Sequence, residues 1–365
     1  MTLLDISHLF AYYGHMPELP EVQTTVNGLN QTVTGLRIVD VWSDYDSPYF
    51  KGDDNIKDRT YFKYFRKKIL GKIIVSASRR AKNVLIHLGE TSGNRKTDKK
   101  SRDGDKNNTE TTILIHMKMT GHLLYGKYGF TDTKWFPISP ELLKDPYNRH
   151  IHFVLKLERD DDKNHVEENT SGVTTKNTNI EKISHLALCD SRKFAKVTLI
   201  ESLKSLHLSD IGPEPLEKSF TLEKFIEQMN IKPHWKIKQV LMDQTVIAGI
   251  GNIYADESLW RAGIHPEEKV TNIKIAKMKA LFIAIKQTLS RGIDFGGDSM
   301  SDYRNIHGKK GKFQEQHNAY QKTGEKCNRK GPDGKNNCNG TIVRIVVGTR
   351  GTHFCNKHQK MSAKK

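Results

Sequence analysis

Cysteine is scarce in this chain, and long apolar runs are missing. The 365 residues include four cysteines, which are too few for a disulfide framework in a chain of this size. Cys189 stands apart in an apolar stretch, which predicts a small buried side chain. No apolar run approaches the roughly 20 residues of a transmembrane helix. We therefore expect neither a membrane partner nor stabilisation by disulfides.

Targeting signals are missing as well. Residues 1–15 contain Asp5 and no lysine or arginine, whereas signal peptides begin with positive charge and transit peptides are rich in arginine. The default expectation is a cytoplasmic protein.

Positive charge, in contrast, is in excess. The formal net charge is +17 at pH 7, and the isoelectric point is about 9.5. The electrostatic field of a protein with this charge attracts polyanions, above all nucleic acid, although a merely solvated basic surface has the same composition. The chain is long enough for two globular domains with hydrophobic cores.

The hydrophobic pattern changes along the chain. Short β-branched runs separated by turns, over 36–88 and 111–125, predict antiparallel sheet. The polar segments 91–110 and 158–182 hold too few apolar residues to order themselves, which predicts loops inserted between strands. The stretch "SDIGPEPL" (209–216) predicts a linker, because its glycine and prolines end regular structure.

Beyond this linker the spacing becomes helical. Two short helices are predicted at 234–243 and 252–262, separated by a glycine turn, and a cysteine-bearing hairpin at 320–358. A longer helix is predicted from apolar residues that recur every three or four positions, namely Met278, Leu281, Phe282, Ile285 and Leu289.

The stretch "GHMPELPEV" (14–22) places Pro17 after an internal methionine, Met16. Translation from Met16 and removal of that methionine would leave a free secondary amine. Such a group titrates near pH 7.7–8.0, so a fraction is nucleophilic in neutral water. The same residues fit a helix start, with proline in the first turn and glutamates facing the positive end of the dipole. Both interpretations can hold at once.

Three motifs now identify a family: "MPELPEV" (16–22), "GIGNIYADESLWRAGIHP" (249–266) and "IVVGTRGTHFC" (345–355). In this order they resemble the bacterial formamidopyrimidine-DNA glycosylases, the Fpg branch of the Fpg/Nei family. The resemblance covers nearly all of 16–359 apart from the two insertions, and "ELPEV" favours this branch over endonuclease VIII. It implies an α+β fold: an N-terminal β-sandwich domain with a catalytic N-terminal helix, then a C-terminal helix-two-turn-helix domain and a zinc-finger hairpin.

The resemblance also divides the chain. The extension 1–15 would lie outside the functional chain. The expected units are a catalytic domain at 16–208, a linker at 209–219, a helix-two-turn-helix domain at 220–319 and a zinc-finger hairpin at 320–360. Residues 296–314 match the loop that folds over the extruded base.

Catalytic roles follow from the resemblance. Pro17 would be the nucleophile that attacks the sugar carbon, and Glu18 the general acid that opens the sugar ring. Lys82 would contact a phosphate beside the lesion, although a lysine at a strand start is otherwise a solvated edge residue. Glu21, one helical turn after Glu18, would tune the same pocket or only face the helix dipole.

DNA contacts are implied at further positions. Met119, Arg192 and Phe194 would fill the space of the extruded base, with the last two on one strand face. Asn252 and Tyr254 open a helix whose N–H groups would hold phosphate, and Asn252 would cap that helix or reach a phosphate itself. Three arginines would contribute charge: Arg350 in the minor groove, and Arg79 and Arg80 at the DNA backbone.

One structural Zn²⁺ is expected. Cys355 and His358 have tight ligand spacing, and a hairpin would bring Cys338 to them. The family normally shows Cys-x2-Cys twice. Here ten residues separate Cys327 from Cys338, and His358 replaces the last cysteine, so the set would be Cys3His.

The expected function is that of a monomeric, bifunctional DNA glycosylase and AP lyase in base excision repair. It would excise 8-oxoguanine and formamidopyrimidines from duplex DNA and cleave the strand by β,δ-elimination, acting also at abasic sites. The alternatives are an endonuclease VIII-like enzyme for oxidised pyrimidines, and a catalytically blocked lesion-binding protein if residues 1–15 are retained.

Overall fold

The computed structural model describes residues 16–90, 111–159, 182–201, 208, 210–331, 335 and 338–362. The predicted extension 1–15, the insertion 91–110 and all but the ends of the insertion 158–182 lie outside these residues. Within the described ranges, no helix is both long enough and apolar enough to cross a membrane.

The N-terminal half is built mainly of antiparallel strands. Helix α1 (Leu19–Thr32) comes first, and α2 (Arg59–Ile69) and the short α3 (Pro140–Leu143) lie between strands. The strands are β1 (Leu36–Ser43), β2 (Ile73–Arg80), β3 (Asn83–Gly89), β4 (Thr111–His116), β5 (His122–Gly126), β6 (Tyr128–Thr131), β7 (Lys134–Pro137), β8 (Ile151–Arg159), β9 (Ile183–Cys189) and β10 (Lys196–Ile200).

Eight of these strands form one sheet in the order β10-β4-β3-β2-β1-β8-β9-β5, while β6 and β7 form a separate hairpin. β1 and β2 share the single register pair Arg37–Ile73, so the sheet consists of two four-stranded parts. Both parts contribute to one buried core, with Ile86 and Ile113 from one part and Phe153 and Leu186 from the other. The predicted β-sandwich is confirmed.

Helix α2 is a departure from the sheet expected throughout 36–88. Asp58 caps it by accepting a hydrogen bond from the Tyr61 N–H at 2.6 Å. Phe65 and Ile69, four residues apart, are completely buried against the sheet. The spacing of these two apolar residues is helical, and it outweighs the strand preference of the segment's aromatic residues.

The C-terminal half is helical, as predicted. It contains α4 (Leu222–Met229), α5 (Ile237–Met242), α6 (Asn252–Ala262) and α7 (Ile275–Asp294). The predicted apolar face of α7 is buried, with Phe282 partly exposed. α5 begins at Ile237 rather than at 234, after the extended residue Lys236.

The two halves are connected by two side chains, each of which packs in the hydrophobic core of the other half. Leu19, the first residue of α1, packs in the core of the helical half. In return, Ile306 packs in the core of the sandwich. Gly28 of α1 makes room for it, since a Cβ there would lie 2.4 Å from Cγ2 of Ile306. The N-terminus of α1 is thereby held between the two halves.

A last hairpin consists of β11 (Ile342–Val347) and β12 (Arg350–Cys355). Its connection is the two-residue turn Gly348–Thr349, in which both residues have positive φ, 55° and 66°. Such a turn matches the twist of the flanking strands, and it places Arg350 at the exposed tip.

Candidate active site

The start of α1 brings Glu18 to the N-terminus of α6. The Glu18 carboxylate accepts hydrogen bonds from the N–H groups of Gly251 (2.6 Å), Ile253 (2.9 Å) and Tyr254 (3.4 Å). Gly251 permits this approach, because a Cβ there would lie 2.4 Å from the Glu18 carboxyl carbon. The expectation that these amides hold phosphate is therefore wrong. So is capping by Asn252, since the N-cap residue is Gly251.

Burial governs the acidity of Glu18, whose exposed fraction is 3%. Burial raises the pKa of this carboxyl, whereas the Lys82 ammonium and the three amides lower it. A carboxylic acid with a raised pKa keeps its proton to higher pH than an ordinary glutamate and can deliver it to a reacting group.

Glu21 faces the same pocket, as one of its two interpretations requires. One oxygen accepts a hydrogen bond from the Glu18 N–H at 2.8 Å, and the other accepts from the Tyr254 hydroxyl at 2.7 Å and the Asp298 N–H at 2.6 Å. Burial and then the neighbouring Glu18 charge raise the pKa of Glu21 to about 7. Glu21 also lies in the first turn of α1, so the helix-dipole interpretation holds too.

Tyr254 was expected to contact DNA, but its side chain is completely buried. Its ring stacks on Phe313 at 4.9 Å, and its hydroxyl donates to Glu21. Tyr254 therefore supports the carboxyl pocket and offers no surface to a partner.

Pro17 and Lys82 converge on this pocket from distant parts of the sequence. Pro17 is buried directly before Glu18. Lys82 follows Ala81, whose φ of +51° forms the tight turn between β2 and β3. Burial lowers the pKa of Lys82, while the carboxylates of Glu18 and Glu21 raise it. The proposed nucleophile, acid and lysine are thus neighbours, and their roles remain predictions.

Glu214, in the predicted linker, anchors the hairpin that carries Lys82. Its carboxylate pairs with Arg79 at 2.6 Å and Arg80 at 3.2 Å, and it accepts the Ala81 N–H at 2.6 Å. The expectation that both arginines serve the DNA backbone is wrong for Arg79, whose side chain is 8% exposed and neutralised by Glu214. The sequence signal was weak, since an acidic residue between prolines is usually solvated.

We expect Glu214→Ala to lower the free energy of unfolding by about 3–5 kcal/mol, because it leaves the buried Arg79 guanidinium unpaired. Thermal unfolding measures this loss. Glu217→Ala, an exposed change in the same segment, is the control and should stay within about 0.5 kcal/mol. Equal stability of the two variants would contradict an anchoring role.

The three predicted space-filling residues form one cluster. The Arg192 guanidinium stacks over the Phe194 ring at 4.5 Å and donates to the Met119 sulfur at 3.6 Å. Phe194 is 46% exposed, so it is not a core residue. Arg192 and Phe194 lie in the turn between β9 and β10 rather than on a strand face, because Lys193 has a φ of +54°.

Asp190, which the sequence did not single out, holds this cluster in place. It is completely buried. Its carboxylate accepts hydrogen bonds from the Tyr45 hydroxyl (3.1 Å), the Ala195 N–H (2.7 Å) and the Thr120 hydroxyl. Asp190 therefore ties the turn of Met119 to the turn of Arg192 and Phe194.

Asn252 connects α6 to the hairpin of Arg350. Its side-chain amide donates to the Gly351 carbonyl at 3.1 Å, next to the exposed Arg350. A buried pair adjoins it: the Lys238 ammonium lies 2.7 Å from the Asp256 carboxylate, and both side chains are 0% exposed. These contacts fix the position of the hairpin tip relative to Glu18.

The predicted metal ligands come together. One ligand atom from each of Cys327, Cys338, Cys355 and His358 lies within 4.8 Å of the others. The Cys338 sulfur is 3.5 Å from the Cys355 sulfur and 3.4 Å from Nδ1 of His358. Three thiols and one imidazole, mostly buried, form a possible metal-binding group consistent with a zinc finger. Cys189, by contrast, is a buried free cysteine, as predicted.

Comparison with known proteins gives this arrangement a family. Residues 16–197 match the family model of the formamidopyrimidine-DNA glycosylase N-terminal domain, and residues 211–304 match the H2TH domain of the same family. The formamidopyrimidine-DNA glycosylase of Bacillus subtilis is 32% identical over 348 residues, which cover 94% of this chain and 99% of that protein. That of Herpetosiphon aurantiacus is 31% identical over 93% of this chain and 98% of its own.

Solved structures agree. A Lactococcus lactis Fpg variant in complex with Fapy-dG-containing DNA superposes with a TM-score of 0.67 at 28% identity, covering 93% of this chain and 98% of that one. MutM in complex with DNA containing carbocyclic 8-oxo-G gives a TM-score of 0.66 at 28% identity, with the same coverage. This chain belongs to the formamidopyrimidine-DNA glycosylase family.

Proposed function

We propose that this chain is a DNA glycosylase and AP lyase that removes oxidised purines from duplex DNA. The observation that carries the proposal is the buried Glu18 carboxyl, held beside Pro17 and Lys82 by the N-terminus of α6. Complexes of its relatives with Fapy-dG and 8-oxo-G DNA support the substrate class. An enzyme with this substrate would act in the cytoplasm, on the bacterial nucleoid.

The proposed chemistry uses Pro17 as a free amine. Its nitrogen attacks the sugar carbon that bears the damaged base, while Glu18 protonates the ring oxygen and opens the sugar. The base leaves with the bonding electrons of its glycosidic bond and takes up the proton that the Pro17 nitrogen loses, and an iminium joins Pro17 to the sugar. Successive β- and δ-elimination then expel the phosphates on either side. Hydrolysis of the iminium releases the unsaturated sugar remnant from Pro17, and a one-nucleotide gap flanked by phosphates remains.

A panel of duplexes tests the substrate class. The protein beginning at Pro17 should cleave strands containing 8-oxoguanine or formamidopyrimidine and leave strands with oxidised pyrimidines largely intact. Preference for oxidised pyrimidines would favour the endonuclease VIII-like alternative. Binding to lesions without cleavage of any of them would favour a lesion-binding protein.

Around the pocket, the residues proposed to bind DNA are Lys82, Asn252 and Arg350. Three other side chains, Met119, Arg192 and Phe194, would enter the space of the extruded base. The Arg192 guanidinium would face the orphaned cytosine edge, and the apolar side chains of Met119 and Phe194 would wedge between bases. Arg192 and Phe194 are exposed and stacked on each other, and Arg192 also contacts Met119, which supports this role. Residues 296–314 would close over the base, and the Asp298 N–H already contacts Glu21.

The proposed domain limits remain 16–208, 220–319 and 320–360.

Arg350→Ala should weaken binding to lesion and undamaged duplexes alike. If the guanidinium neutralises one phosphate, the slope of log K against log salt falls by about one unit. Binding titrations at several salt concentrations measure the slope. Arg59→Ala removes the same charge from α2, where Arg59 pairs with Asp46, and should leave the slope unchanged. Equal slopes for Arg350→Ala and the unmodified protein would show that Arg350 is not one of the residues that bind DNA.

We propose that the Cys3His group holds one structural Zn²⁺. Four protein ligands leave no open position for a substrate, so the ion would stiffen the hairpin and perform no chemistry. Cys338→Ala should lose the metal and bind DNA weakly, as metal analysis and binding titration would show. Cys189→Ala, which removes a cysteine outside the cluster, should keep one zinc. Stoichiometric zinc in Cys338→Ala would overturn the ligand assignment.

A further inference from the structure

Helix α6 links the catalytic pocket to the metal-binding group. Its N-terminal amides hold Glu18, as described above. At its other end, the Trp260 carbonyl lies next to His358. An eleven-residue helix is about 16 Å long, so the two sites occupy opposite ends of one rigid element.

The two ring nitrogens of His358 face different partners. Nδ1 lies 3.4 Å from the Cys338 sulfur and 3.5 Å from the Cys327 sulfur, inside the ligand group. Nε2 lies 3.1 Å from the main-chain oxygen of Trp260, which can only accept a hydrogen bond. A neutral imidazole has one protonated and one unprotonated nitrogen. The acceptor at Nε2 therefore places the proton there and leaves Nδ1 free to bind a metal.

We infer that His358 binds the metal through Nδ1 and donates its Nε2–H to the Trp260 carbonyl, so that the metal-binding group is attached directly to the C-terminus of α6. This inference rests on the zinc site proposed above. The hydrogen bond to Trp260 gives a function to His358, which replaces the family's last cysteine. A thiolate ligand has no second polar atom with which to reach the helix, whereas an imidazole ligand does.

The surroundings of Trp260 favour this attachment. The indole ring packs edge-on against the His358 ring, with centroids 5.6 Å apart and an interplanar angle of 82°. Arg329, from the long segment between Cys327 and Cys338, donates to the same carbonyl at 3.4 Å. Lys277 donates to two further carbonyls at this helix end, those of Ala262 and Gly263, at 3.1 Å each. Donors thus converge on the negative end of the α6 dipole.

Nitrogen NMR of the zinc-loaded protein with isotope-labelled histidine tests the inference directly. The His358 signals are assigned by their loss in His358→Cys. We expect a protonated Nε2 and an unprotonated, metal-bound Nδ1. Replacement of zinc by an NMR-active cadmium isotope should give one-bond coupling to Nδ1. Coupling to Nε2 would overturn the inference while leaving the zinc site intact. Absence of bound metal would instead overturn the proposed zinc site.

His358→Cys also tests the attachment. Four thiolates should retain the zinc, so the first coordination shell remains complete. The hydrogen bond to Trp260 is lost, and hydrogen exchange of the Gly263 amide, which is bonded to the same carbonyl at 3.2 Å, should accelerate roughly fivefold. Unchanged exchange in a variant that retains zinc would show that His358 does not hold the helix end.

Discussion

Glu18→Gln should bind lesion-containing duplex almost normally and excise 8-oxoguanine on the order of a hundredfold more slowly, or worse. Glutamine keeps the shape of the side chain but has no acidic proton to transfer to a sugar oxygen. Lys82 and Arg350 are unchanged in this variant, so the proposed grip on DNA remains. Single-turnover excision and equilibrium binding, measured on the same duplex, separate the two effects.

The same substitution has a structural cost that must be measured separately. Both Glu18 oxygens accept main-chain N–H groups, from Gly251 and Tyr254 on one side and Ile253 on the other. A glutamine necessarily turns its NH₂ group toward one of them, and the mismatch should cost about 1–3 kcal/mol of stability. Excision should therefore be assayed well below the unfolding temperature of the variant.

Glu21→Gln is the matched control for Glu18→Gln. It removes the neighbouring carboxyl, whose pKa is raised to about 7, and keeps the proposed acid. Loss of a nearby negative charge lowers the pKa of Glu18, so the alkaline limb of the pH–rate profile should move to lower pH while excision persists below it. If Glu18→Gln still excises at close to the unmodified rate, Glu18 only caps and holds α6, and the proposed mechanism is wrong.

The elements around the site could be predicted where the local pattern was strong. The motif "GIGNIYADE" indicated a glycine turn followed by a helix, and α6 begins at Asn252 as expected. The pattern did not reveal why the turn needs Gly251. The reason is the Glu18 carboxyl, which belongs to a distant part of the chain and contacts the turn in the folded structure.

The residues that sequence analysis missed share one property. Asp190, Glu214 and Lys238 are charged residues whose local setting is that of a solvated side chain. Each is buried and has at least one partner remote in sequence: Tyr45, Arg79 and Thr352, respectively. Local spacing carries no information about such pairs. The metal group was predictable despite its stretched spacing, because cysteine and histidine have few other reasons to cluster at the end of a chain.

A protein that begins at Pro17 should be trapped on lesion DNA by borohydride, and a protein that begins at Met1 should not. In the longer chain the Pro17 nitrogen is part of the Met16–Pro17 peptide bond, and its lone pair is delocalised into the carbonyl. It then has neither nucleophilicity nor a hydrogen to lose. In the shorter chain it is a secondary amine, and α-amino groups in water titrate at roughly pH 7.7–8.0, so an iminium can form and be reduced.

Trapping separates the covalent chemistry from DNA binding, because the residues proposed to bind DNA are common to both forms. Lys82, Asn252 and Arg350 are present in each, so both should bind an abasic-site duplex, whereas the covalent adduct and strand cleavage should be all or none. A third protein, which begins at Met16 and retains that methionine, controls for extension length, because one added residue suffices to block the amine. N-terminal sequencing establishes which form each preparation contains. Equal trapping by the Pro17 and Met1 forms would show that another group is the nucleophile and would remove Pro17 from the mechanism.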